Sequence, residues 1–233
     1  PPGTDQPDRL PGQILPDNKK LDLEKRKFGG VHRAWEEAEL KKAIGLALEM
    51  DRKDVVIVLS LGYTLGTRLE ESVTLTTYKV KEALKTGYIY LENTKGGFKR
   101  EVKVSEQARQ ALEYALENAK SKERLLIGVG EATHKVKRSI QDWVRNHRHR
   151  FQNEDRLDNC TATNLAKEGI TTSANLTVHG TRHANAQENY NKLIEAGEHT
   201  NVAKKIVSES LGHHRENVTN IYLAKKNTQN KKR

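Results

Sequence analysis

Between Val178 and Leu223 the chain reads V-H-G-T-R-H, then L-G-H-H, then N-I-Y-L. His179 and Arg182 stand three residues apart, so on a helix they share one face. A glycine, Gly212, ends the next apolar repeat at His213, and Tyr222 follows nine positions later. An arginine fork binds phosphate oxygens in pairs, and a tyrosine hydroxyl attacks phosphorus covalently. Arginine, histidine and tyrosine in this order point to the breaking of a phosphodiester bond. A second arginine, Arg68, lies far upstream after a run of apolar residues. That run brings its guanidinium near the interior, where it needs an anion or a carboxylate; Glu71, three residues on, is the orienting candidate. The alternatives are plainer: a surface arginine at a helix end, and a packing tyrosine ahead of a polar tail.

At these residues the chain resembles the tyrosine recombinases, the phage-integrase family. The stretches that carry the resemblance are Gly66-Thr67-Arg68-Leu69-Glu70-Glu71, Thr94-Lys95-Gly96-Gly97, His179-Gly180-Thr181-Arg182, Leu211-Gly212-His213 and Tyr222. Each is weak alone; together and in the family's order they are specific, and they span roughly Trp35 to Leu223. The resemblance implies a catalytic domain that is mainly α with a small antiparallel β-sheet. It implies a catalytic set of Arg68, Lys95, His179, Arg182, His213 and Tyr222 supported by Glu71, with Lys95 on a β-hairpin as the acid for the departing 5′-oxygen. Lys99 competes for that last role. It also implies double-stranded DNA recombination sites as partner, a homotetramer on DNA with the C-terminal tail reaching a neighbour, and no metal, ATP or other cofactor. Arg182 and His213 lie 31 residues apart, a longer step than the family pattern suggests, and Tyr190 to Thr200 is the expected site of the extra length.

Composition agrees with a polyanionic partner. Lys and Arg number 41 against 31 Asp and Glu, for a net charge of +10, which favours nucleic acid or an anionic surface without choosing between them. No apolar run is long enough to span a bilayer, and no signal peptide is visible. The single cysteine, Cys160, excludes an intramolecular disulfide and fits a reducing compartment; with the resemblance, the expected location is a prokaryotic cytoplasm, at the nucleoid. At 233 residues the chain can bury a substantial core.

The elements that must position these residues are legible in part. Residues 1–30 hold all five prolines and read as a linker or arm, the expected remnant of a connection to an N-terminal core-binding domain; 31–223 read as the catalytic domain and 224–233 as a basic tail. Trp35 to Met50 is a helix, with Trp35, Ala38, Ala43, Ala47 and Met50 near one stripe. Asp54 to Gly66 is too uniformly apolar for periodicity to separate strand from helix; the resemblance implies a buried helix. Val73–Leu75, Tyr88–Asn93 and Arg100–Val104 read as strands, the last two joined by a glycine turn. Ser105 caps a helix. Thr133 to Phe151 is helical with Val136, Ile140, Trp143 and Val144 inward, and its other face is basic. Residues 152–175 read as a long polar loop with a short helix near 164–167. Helices follow over Ala184–Ala196 and over Thr200–Leu211, the latter with Val202, Ile206, Val207 and Leu211 inward and Gly212 as its stop. Lys99, Arg100, Lys135, Lys137, Arg138, Arg145 and Arg148 are the expected DNA-facing residues, since phosphate contacts orient a protein on duplex without reading sequence.

Competing readings are few. A type IB topoisomerase shares the tyrosine chemistry. A DNA-binding accessory protein could keep the fold without turnover. An RNA-binding module predicts stacking aromatics, which make up only 5% of the chain. A zinc site from His179, His183 and His213 lacks cysteine or carboxylate at ligand spacing, and no phosphate-binding G-x-x-x-x-G-K-[ST] loop is present. The matches to a glycosylation sequon at Asn175 and Asn217 are accidental in a reducing compartment.

Overall fold

The computed structural model describes residues 32–92, 99–154, 156, 175–212, 219–220 and 222–223. The arm at 1–30, Lys95 and the hairpin turn, Cys160, the short helix expected at 164–167, His213, His214 and the tail at 224–233 lie outside the described residues. In chain order the elements are α1 (Glu37–Glu49), α2 (Lys53–Leu65), α3 (Leu69–Thr74), α4 (Thr77–Thr86), β1 (Tyr88–Glu92), β2 (Lys99–Lys103), α5 (Glu106–Glu117), α6 (Thr133–His147), a 3₁₀ turn (Arg148–Arg150), α7 (Val178–Glu195) and α8 (Thr200–Ser210). The protein is therefore mainly helical with one two-stranded antiparallel sheet.

The ambiguous apolar run is helix α2. It is buried over most of its surface, with only Ser60, Tyr63 and Thr64 partly open between Val55 and Leu65, the mark of a helix at the centre of a domain, and α1, α5 and α7 pack around it. Two small residues set its approach to α7: a Cβ on Gly62 would stand 2.1 Å from Thr181 Oγ1. At its end Gly66 adopts φ +62°, and a Cβ there would meet the Asn185 amide oxygen at 2.5 Å. The Asn185 amide in turn donates to the carbonyls of Tyr63 and Thr64. The glycine thus stops the helix and lets the chain turn into Arg68 against α7.

Several elements differ from the sequence expectation. Val73 is helical, in α3, because Glu71 at the third helical position closes the first turn by accepting from the Arg68 backbone N–H at 2.7 Å. Only Leu75 and Thr76 are extended, and Thr76 pairs with Arg124 as an isolated bridge. Helix α4, capped by Thr76 Oγ1, adds an element to the sequence expectation; it buries Thr77, Val80 and Ala83. The buried stripe of α1 is Glu39, Leu40, Ala43, Leu46 and Ala47, whereas Ala38 and Met50 are exposed. In α8 the buried row is Ala203, Val207 and Leu211, at four-residue spacing, and Val202 and Ile206 occupy the neighbouring row and face outward. The hairpin strands pair in register from Tyr88 with Lys103 to Glu92 with Lys99, and Ser105 caps α5 as its type predicts.

The reason for a buried acid in α1 is a tie across the fold. Glu39 is 0% exposed and receives both Nε and Nη2 of Arg156, at 2.9 and 3.0 Å. Arg156 also donates to the carbonyls of His32 and Ala34. Segment 32–36 is thereby fixed from one side, and from the other the Trp35 indole donates to the Thr177 carbonyl at 2.8 Å. A buried ion pair that loses one partner leaves an unpaired charge, so Glu39→Ala is expected to destabilise the fold by about 3–5 kcal/mol. Urea unfolding checks this, and a loss below about 1 kcal/mol, the size of a surface ion pair, would show that the tie is not holding the segment.

Candidate functional site

Helix α7 begins at the site. Its first turn carries His179 and its second Arg182 and His183, and the glycine between His179 and Thr181 has a steric cause. A Cβ on Gly180 would lie 2.4 Å from the Arg33 carbonyl oxygen and 2.8 Å from the Trp35 ring, so only glycine admits segment 32–36 against the helix.

Tyr222 lies on this face of α7. Its hydroxyl is 3.0 Å from His179 Nε2. Its ring stacks on His183 at 4.2 Å between centroids and 21° between planes, and the Arg182 guanidinium carbon stands 6.0 Å from the ring centre. The Gln187 amide donates to the Tyr222 carbonyl. Ala186, Val207 and Leu211 complete its packing, and the tyrosine is 6% exposed.

Arg182 is 0% exposed. It donates from Nη1 to the Gly66 carbonyl and from Nη2 to the Leu211 carbonyl, the C-terminal ends of α2 and α8, whose carbonyls lack helical partners. Glu71 lies 3.9 Å from Arg182 and accepts from Arg68 Nη1 at 2.8 Å. Burial, then the nearby Arg100 and Arg68 charges, push the Arg182 guanidinium down to about 9, against the pull of Tyr222 and Glu71; it stays charged at neutral pH.

The two histidines are neutral. The His179 ring contacts His183 and Tyr222 while the residue as a whole is exposed; partial burial and then the Arg182, Arg68 and Arg33 charges lower its pKa from the ordinary 6.5. His183, 2% exposed, is the more fully desolvated and falls to about 3, by burial first and then by His179, Arg33 and Arg182. A neutral imidazole next to a phenol can accept its proton.

The structure therefore brings Arg68, Glu71, His179, Arg182 and Tyr222 together. Among the residues expected to face DNA, Arg138, Arg145 and Arg148 line a groove of about 570 Å³ that ends at His179. Asp142 on the same helix pairs with Arg145 at 2.9 Å. Lys135 is exposed elsewhere on α6, Lys137 is paired with Glu70, and Lys99 is exposed on the hairpin. Arg100 differs from the expectation. It is 8% exposed and its side chain is turned into the site, with Nη1 and Nη2 on the two Glu71 oxygens at 2.9 and 2.8 Å. The alternation of Arg100, Val102 and Val104 along the strand was the signal that it points inward. Arg33, whose charge reaches both histidines, had no sequence signal.

The phage integrase family model matches residues 36–229. The chain belongs to the phage integrase family. Solved recombinases and integrases share the fold of this chain. The XerA recombinase is 20% identical, over 90% of this chain and 68% of its own, with a TM-score of 0.55. A lambda integrase dimer bound to a COC' core site is 13% identical, over 82% and 47%, with a TM-score of 0.54. XerH bound to palindromic difH substrate in a post-cleavage complex is 18% identical, over 88% and 52%, with a TM-score of 0.53. The chain thus spans about two thirds of XerA and about half of the other two. No curated protein matches it at significance. Among the described residues no helix is long and apolar enough to cross a membrane.

The depressed histidines set the acid behaviour of the integrase fold. Unfolded, His183 takes up its proton below its ordinary 6.5; folded, it does so only near 3. Stability present at pH 7 is therefore lost as pH falls through 6.5 toward 3, by about 2 kcal/mol from His183 between pH 7 and 5. His183→Phe keeps a ring under Tyr222 and cannot titrate, so the variant is expected to lose about that much less stability over the same interval in urea titrations. Equal pH dependence in the two proteins would place the His183 ring in water rather than under the tyrosine.

Proposed function

We propose that this chain is a site-specific DNA recombinase that cleaves and rejoins strands through a phosphotyrosyl bond on Tyr222. The observation that carries the reading is the Tyr222 hydroxyl held 3.0 Å from a neutral His179, beside Arg68 and Arg182. Tyr222 Oη attacks the scissile phosphorus while its proton passes to His179 Nε2. The phosphorus becomes five-coordinate, and the charge that grows on its non-bridging oxygens is met by Arg68 and Arg182; donors aimed at developing charge usually supply the largest share of catalysis. The bond from phosphorus to the 5′-oxygen breaks, the departing oxygen takes a proton from Lys95, and His213 donates to the phosphate. The products are a 3′-phosphotyrosine and a free 5′-hydroxyl. A partner strand's 5′-hydroxyl reverses the step, and the bond energy is conserved in the tyrosyl ester.

The basic groove of Arg138, Arg145 and Arg148 suits the phosphates that flank the cut. XerH is described in a post-cleavage complex with its substrate and lambda integrase as a dimer on its core site, which supports duplex DNA as the partner here. Exchange of all four strands of two duplexes takes four such sites, hence a tetramer on DNA.

The test uses a pool of nicked duplexes with a randomised core, in which the short 5′-hydroxyl fragment diffuses away after cleavage and traps the adduct. A DNA-linked band on a denaturing gel is expected, enriched in one sequence and lost in Tyr222→Phe. Arg182→Ala is expected to slow its appearance by about 100- to 1000-fold. Binding without an adduct would favour the accessory-protein reading, and an adduct that survives in Tyr222→Phe would move the nucleophile elsewhere.

A further inference from the structure

Among the described residues Glu71 is the single carboxylate paired with Arg68, Arg100 and Arg182. Its Oε1 accepts from Arg68 Nη1 at 2.8 Å and from Arg100 Nη1 at 2.9 Å; its Oε2 accepts from the Arg68 backbone N–H at 2.7 Å and from Arg100 Nη2 at 2.8 Å. Arg100 thus holds the carboxylate by both oxygens, and Arg68 is left with a one-point contact. The Arg68 side chain is the more exposed of the pair, at 22% against 6% for Arg100. Arg100 also donates to the same two carbonyls as Arg182, Gly66 O at 3.1 Å and Leu211 O at 3.3 Å.

We infer that Arg100 is a positioning residue for the proposed reaction: by occupying both oxygens of Glu71 and sharing the carbonyls of Gly66 and Leu211, it keeps Arg68 and Arg182 aimed at the phosphate. A carboxylate prefers a two-point pairing with a guanidinium. Without Arg100, Glu71 turns to take Arg68 by both nitrogens and withdraws it from the substrate, and the carbonyls that orient Arg182 lose their second donor. A lysine in place of Arg100 keeps the charge but cannot reach two carboxylate oxygens and two carbonyls from one planar group. The inference rests on the recombinase reading for its consequence, and on the contacts above for its cause.

The experiment compares Arg100→Gln and Arg100→Lys with the wild type by three readouts, after thermal melting has confirmed that each is folded. If Arg100→Gln does not fold, Arg100→Lys and the paired Glu71→Gln/Arg100→Gln variant, which removes both buried charges together, take its place. The first readout is adduct formation against binding on a nicked duplex recovered from the randomised pool. We expect adduct formation to fall at least 100-fold in both single variants, with DNA affinity within threefold. The second is the same duplex with a methylphosphonate at the scissile position, which removes the charge of one non-bridging oxygen. We expect the defect to shrink below tenfold there, because less charge is left for Arg68 and Arg182 to meet. The third needs no turnover: ¹⁵N-guanidinium NMR, in which the separate, slowly exchanging Nη signals of Arg68 and Arg182 are expected to merge in the variants. Full rescue by lysine, an equal defect on methylphosphonate, or unchanged Nη signals would each overturn the inference. Failure of the wild type to form any adduct counts against the recombinase reading, and the NMR result then decides the role of Arg100 alone.

Discussion

The Glu71 carboxylate, 5% exposed, is the point on which the site depends. A buried carboxylate is costly unless paired and hydrogen-bonded, and each of its oxygens has two donors. It also opens helix α3 by capping the Arg68 backbone, so one side chain fixes both where the chain leaves α2 and how Arg68 is turned. The guanidiniums around it exceed the charge it can cancel. That excess leaves net positive charge at the edge of the interior.

Around this carboxylate the fold works by bringing helix ends together. The carbonyls of Gly66 and Leu211 close α2 and α8, and Arg182 and Arg100 reach both. Those carbonyls carry the negative end of each helix dipole, so they suit buried cations without adding a full charge. Small residues allow the approach: Gly62 against Thr181, Gly66 against Asn185.

Much of this was legible in the sequence. Arg68, His179, Arg182 and Tyr222 were grouped from their types and order, and the structure brings them together; the inward stripe of α6 followed from helical spacing. What sequence reading missed has physical causes. Periodicity cannot resolve a helix that is apolar over most of its surface, as α2 is. The α1 stripe was right at Trp35, Ala43 and Ala47 but missed Glu39, a charged residue in the core only by virtue of Arg156, more than a hundred positions away. Arg100 looked like a surface cation because a basic neighbourhood hides an inward residue, though its parity with Val102 gave the direction. Val202 and Ile206 show the converse, apolar residues on an outward row.

Segment 32–36 and the first turn of α7 form one mechanical piece. The Arg33 carbonyl and the Trp35 ring sit where a Gly180 side chain would be, and the indole is bonded to the residue just ahead of the helix. No soft layer lies between them to absorb a shift. Segment 32–36 therefore shares its position with the turn that carries His179, whose Nε2 stands 3.0 Å from the Tyr222 hydroxyl.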